Sequence, residues 1–192
     1  MSTTRLVVSC LAMAAWVIAG CVGCSGVPVP RPFAIEELLI DQSLLPQGWE
    51  QQGPPSSRNA PVRLGVERSG VSFISYGGVA NQHVYRCNSV RAAAREYPGE
   101  ADSWFSPREG WGAWTVPAVL PYESAVADQF RFNCYTHQAS GGQACQAVGR
   151  YDEYIVRFYT AMSDDYMTFT DLERILAAID ERMALYLEKD TP

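Results

Sequence analysis

Apolar and polar residues alternate most regularly between positions 129 and 158. Phe130, Phe132 and Cys134 are separated by Arg131 and Asn133, with Gln129 before them, the period of two of a half-buried strand. Cys145, Ala147, Gly149 and Tyr151 repeat the pattern around Gln146, Val148 and Arg150. Tyr154, Val156 and Phe158 repeat it around Ile155 and Arg157, and Asp152-Glu153 supplies a turn between these two runs. Two turns set two independent registers. Cys134 opposite Cys145 pairs Phe132 with Ala147 and Phe130 with Gly149, while Tyr151 opposite Tyr154 pairs Gly149 with Val156 and Ala147 with Phe158. Both place the apolar members of all three strands on one face, and a slip of one residue in either would scatter them.

Upstream, the β-rich runs Val71–Tyr76 and Val79–Cys87 flank Gly77-Gly78 and predict a hairpin. At Asn88, a candidate helix N-cap, the period becomes helical. Val90, Ala93, Ala94, Tyr97, Ala101, Trp104 and Phe105 share one face, and Pro98-Gly99 is expected to break or kink the helix. A second helix follows Thr170-Asp-Leu-Glu173, which reads as a capping box, and carries Leu172, Ile175, Leu176, Ile179, Met183, Tyr186 and Leu187. Ahead of the hairpin, Phe33–Ile40 makes a short amphipathic helix, and Leu44–Trp49 a turn whose Trp plugs the core edge. Residues 50–62 are a loop by composition. The order ββα-βββα predicts an α+β domain over residues 35–192: an antiparallel sheet of about five strands with two main helices packed on one face.

The first twenty residues fit none of these patterns. Arg5 is the only charge in the first thirty, and an apolar run from Leu6 ends in small residues, shorter than the roughly 20 residues of a typical spanning helix. A basic start, an apolar middle and a small-residue end describe an export signal, assigned to residues 1–20. After it, Pro28, Pro30 and Pro32 give an extended spacer within residues 21–34.

The junction Ile18-Ala19-Gly20-Cys21 resembles the lipobox of bacterial lipoproteins. That resemblance implies lipidation of Cys21, cleavage before it, and palmitate-type acyl chains holding the protein at a cell membrane or outer membrane, facing the extracytoplasmic side. The Leu-Leu-Pro-Gln-Gly-Trp segment, the hairpins, the paired cysteines and the last helix resemble, as a pattern over residues 35–188, small extracytoplasmic domains of bacterial lipoproteins. Some of these are similar to sensor domains of membrane-bound receptor kinases. This likeness carries no site residues with it.

Composition narrows the function classes. With 192 residues, 47% hydrophobic and 19% charged, the chain can bury a sizeable core. The net charge is −6, and loss of Arg5 with the signal makes the mature chain more acidic, which excludes nucleic acid as a partner. Once Cys10 leaves with the signal and Cys21 takes lipid, Cys24, Cys87, Cys134 and Cys145 remain for an oxidising compartment. The strand register favours a Cys134–Cys145 disulfide; Cys87 is left to join Cys24 or to stay free.

Catalytic chemistry is not signalled. His83 sits mid-strand, and His137 lies in the loop Thr136–Gln143 near Ser140, but neither has carboxylates at metal-ligand spacing and there is no G-x-S-x-G elbow. No metal or cofactor is expected. The stretch from Trp104 to Tyr122 stands out: a long loop with Trp111, Trp114, Tyr122 and Arg108 as a candidate binding surface, or a flap closing one end of the core. The expected function is a non-catalytic, lipid-tethered binding or sensor-like module with a protein, glycan or small-molecule partner. The alternatives are a structural or assembly lipoprotein of the envelope, or an envelope hydrolase using His137 and a nearby hydroxyl.

Overall fold

The computed structural model describes residues 30–58, 63, 65–107 and 109–188. The export signal, Cys21, Cys24, most of the spacer and Arg108 lie outside the described residues. No described helix is long and apolar enough to cross a membrane.

Seven strands form one antiparallel sheet. They are β1 (Glu50–Gln51), β2 (Ser56–Arg58), β3 (Gly65–Ser75), β4 (Gly78–Cys87), β5 (Gln129–Thr136), β6 (Gln143–Tyr151) and β7 (Tyr154–Met162). The two main helices are α1 (Val90–Trp104) and α2 (Phe169–Leu187). The sheet order is β1-β3-β4-β7-β6-β5, with β2 also paired to β3, so the α+β class and the five long strands hold. The meander has the expected register throughout: Cys134 opposite Cys145, Ala147 opposite Phe158, Tyr151 opposite Tyr154. Asp152 takes a left-handed φ of 51° in the β6–β7 turn, as a two-residue hairpin loop requires, and Gly77 does so at 89° between β3 and β4.

The helices do not share a face. Phe132, Cys145, Ala147, Val156 and Phe158 pack with Leu172, Ile175, Leu176, Ile179 and Met183 of α2 in the main core. Tyr85, Cys87, Val148 and Ile155 point the other way and pack with Ala92, Ala93, Tyr97 and Ala101 of α1. The domain therefore has three layers, not two. The physical reason lies in Val148 and Ile155, which occupy positions that alternation assigns to the polar face. They are fully buried because a small-residue stripe lets α1 approach the sheet closely.

Other local expectations shift by a few residues. α1 is capped by Ser89, whose Oγ accepts the Ala92 N–H, rather than by Asn88. It runs unbroken through Pro98, which lies on its exposed side, so the missing N–H is lost at the surface. The capping box of α2 starts at Thr168 and closes on Asp171, two residues before the Thr170–Glu173 pair that the sequence suggests. The 50–62 stretch is not wholly loop, since β1 and β2 pair with β3 there. The amphipathic segment after the spacer is a single 3-10 turn, Ile35–Leu38, and Trp49 is buried with its Nε1 donating to the Tyr166 carbonyl.

Candidate functional site

The Trp104–Tyr122 stretch wraps the outer edge of β5. Its first half runs antiparallel to β5: Gly112 N–H bonds Thr136 O (3.0 Å), and Thr115 and Cys134 exchange both main-chain bonds (2.9 and 2.8 Å). This pairing holds four aromatic rings together on the α1 face. Trp111 stacks on Tyr135 with centroids 4.1 Å apart, while Trp114 meets Tyr135 and Phe105 edge-on at 4.6 and 5.3 Å. Trp111 and Trp114 are both half-buried, so each keeps part of a ring in solvent.

The loop then crosses to the other face of the sheet. Leu120 and Val126 enter the main core, and Tyr122 packs edge-on to Phe130. Its hydroxyl donates to Asp180 (2.8 Å). The structure thus brings Trp111 and Trp114 together but sets Tyr122 on the opposite side of the sheet. Where the loop leaves β5, a cleft of about 270 Å³ opens between Val116, Pro121 and Tyr122 on one side and Phe130–Asn133 on the other.

Asp180 is not among the candidate residues of the sequence, where its one signal is an acid beside Ile179 in an apolar helical stripe. It is buried and accepts three hydroxyl hydrogens, from Tyr122, Ser124 (2.7 Å) and Tyr151 (2.6 Å). Burial first, then the Asp180 charge, push the Tyr122 and Tyr151 hydroxyls well above the ordinary tyrosine range. Both tyrosines therefore stay protonated donors, and the Ser124 hydroxyl in turn accepts the Val126 and Ala127 N–H groups. The cluster is a rivet between α2, β6 and the end of the loop.

A cationic group lies on the α1 face. Arg157 contacts Glu100 and stacks against Trp104 (4.5 Å) and Tyr85 (5.0 Å). Arg68 reaches His83 Nδ1 at 3.0 Å. Burial and then the two arginine charges push His83 down to about 4, which keeps its ring neutral at pH 7.

His137 Nδ1 meets both the N–H (3.3 Å) and the Oγ (3.2 Å) of Ser140. The two residues belong to one tight turn closed by Gly141 N–H to His137 O and His137 N–H to Gly142 O. Local turn geometry accounts for the contact, and among the described residues no carboxylate bonds the ring. No three potential metal-ligating residues come together there either. Cys134 and Cys145 are joined by a disulfide with Cα atoms 4.0 Å apart, directly behind Thr115. Cys87 is buried under α1.

At the opposite end of the sheet, Arg31 clamps the last residues of the spacer to the β6–β7 turn. Its guanidinium grips Glu153 bidentately at 2.8 and 2.6 Å, and Arg86 adds a contact at 3.4 Å. Phe33 packs on Tyr154 and Tyr186 beside it. The β3–β4 turn, with Tyr76 fully exposed, and the His137 loop lie at the far pole.

No protein-family model matches this chain, and no curated protein matches it in sequence. Among solved structures it is similar to the extracellular domain of PknH from Mycobacterium tuberculosis. The TM-score is 0.55 at 12% identity, over 83% of this chain and 99% of that one. A Mycobacterium smegmatis protein described as an Rv0999 ortholog is 15% identical, with a TM-score of 0.33 over 75% of this chain and 83% of that one. At 12% identity the PknH likeness is one of fold.

Proposed function

We propose that the chain is exported, lipidated at Cys21, and held at the extracytoplasmic side of a membrane as a non-catalytic, sensor-like recognition module. The observation that carries this is the fold shared with a domain that is extracellular in PknH, on a chain whose first 21 residues resemble an export signal and a lipobox. A disulfide in the sheet supports the oxidising compartment. The Arg31–Glu153 clamp supports a tether arriving at the β6–β7 pole, which leaves Trp111, beside His137, toward the pole away from the membrane. Half-buried tryptophans on a rigid sheet edge suit a recognition surface.

Metabolic labelling with palmitate tests the anchor: wild type should take label and Cys21→Ser should not, and equal labelling would overturn it. Crosslinked partner recovery from intact membranes tests the module. Trp111→Ala with Trp114→Ala should abolish recovery while the disulfide-bonded fold persists, and undiminished recovery would remove the aromatic cluster from the reading. A second reading is favoured by the main-chain pairing of Thr115 with Cys134. In it the loop is an edge cover and the protein a structural envelope lipoprotein.

A further inference from the structure

The edge of β5 is only half covered. Cys134 directs both its N–H and its C=O outward to Thr115, so by the alternation of an antiparallel ladder Phe132 and Phe130 also direct theirs outward. Arg131 and Asn133 direct theirs to β6. The loop cannot continue its pairing past Val116, because Pro117 has no N–H and the chain departs there for the other face. Among the described residues nothing bonds the outward main-chain groups of Phe130 and Phe132, and the cleft of about 270 Å³ opens directly onto them.

We propose that this cleft takes an extended peptide segment of a partner protein, which adds to β5 as a short antiparallel or parallel strand and continues the pairing that Thr115 begins. The unpaired edge from Phe130 to Phe132 spans about 7 Å, enough for roughly three residues of the guest. Its side chains alternate between two environments. One side meets the half-buried Tyr122 and Phe130 rings, which asks for apolar residues. The other meets Arg131, which stacks over Phe105 and already holds the exposed Asp102, and the exposed Glu123 also lines the cleft, so this side asks for polar residues. The 111–115 segment already occupies the adjoining length of the β5 edge, so what is left unpaired suits a short single strand rather than the long edge of a second sheet. The proposal rests on the recognition reading above but does not require the lipid anchor.

The test starts with amide hydrogen exchange on the mature chain. Phe130 and Phe132 should exchange much faster than Arg131 and Asn133; equal protection of all four would mean a closed edge and overturn the proposal. A display library of short linear peptides is then selected on the same protein. Enriched peptides should slow exchange at Phe130 and Phe132 by at least roughly tenfold, and Phe130→Pro and Val116→Arg should each weaken binding by at least roughly tenfold. Phe130→Pro removes an outward N–H and leaves the β6 ladder, while Val116→Arg fills the cleft without touching β5, so one variant covers a folding failure of the other. No enriched peptide, or binding unchanged in both variants, overturns the proposal. Binding lost only in the Trp111→Ala, Trp114→Ala protein would overturn it too, while leaving the recognition reading intact.

Discussion

Replacing Asp180 by Ala should cost about 3 kcal/mol of folding stability and loosen the aromatic loop. Three hydroxyls lose their acceptor: Tyr151, Tyr122 and Ser124. A hydrogen bond to a charged acceptor contributes roughly 1.5–3 kcal/mol, and a buried donor left alone costs about 1–3 kcal/mol. The three sites differ. Tyr151 is 1% exposed and water cannot replace its partner, whereas Tyr122 and Ser124 are half-buried and can rehydrate. Removing the carboxylate also removes its own desolvation cost, which offsets part of the loss. The sum is therefore dominated by Tyr151. Asp180→Asn keeps one acceptor oxygen and should cost about half as much. Urea unfolding followed by tryptophan fluorescence measures both. A double-mutant cycle with Tyr151→Phe should show strong coupling, because removing either partner already breaks the same bond. Loss of Asp180 at under about 0.5 kcal/mol, or additivity with Tyr151→Phe, would refute the argument.

Glu153→Ala removes the shared partner of Arg31 and Arg86 and should destabilise by about 2–3 kcal/mol, with faster proteolysis next to Arg31. Burial pushes the Glu153 carboxyl up, but the Arg31 hydrogen bonds, its own backbone contact and the Arg31 and Arg86 charges hold it below the usual carboxylate range. Its contribution should therefore be full above about pH 4.5 and lost as pH falls through the lowered folded value, and acid titration of stability in wild type against Glu153→Gln checks this. The Cys134→Ser, Cys145→Ser protein should lose about 2–3 kcal/mol by denaturant unfolding and show faster amide exchange at Thr115, which bonds the Cys134 main chain. An NMR titration should place the His83 ring near 4. Because the unfolded ring takes a proton at higher pH than the folded one, stability should fall as pH drops from about 6.5 toward 4. A midpoint above 6 would mean that the half-buried ring does not feel the charges of Arg68 and Arg157.

The meander was legible because its two turns fix the pairing of three strands, and any other register scatters Phe130, Phe132, Val156 and Phe158 across both faces. The loop's aromatic content was legible too, but the meeting of Trp111 and Trp114 over Tyr135 is set by the pairing of the loop with β5. Their separation from Tyr122 was not legible, because it depends on which face of a sheet a loop reaches after passing round the edge. Asp180 was present in the α2 stripe, but its partners lie 29 to 58 residues away in sequence, and no local pattern links them.

Local chemistry therefore determined what each segment is: the alternation of the strands, the amphipathic stripe of α2, the two-residue turn at Asp152-Glu153, and the lipobox resemblance that sets the expected address. Tertiary structure alone decided how the segments are arranged. A helix's apolar stripe says that it must be buried but not against which side of a sheet, so the placement of α1 opposite α2 follows from Val148 and Ile155 needing cover. Likewise, the open stretch of β5 exists only because the loop pairs with Cys134 and then turns away, a consequence of long-range packing that short-range periodicity does not encode.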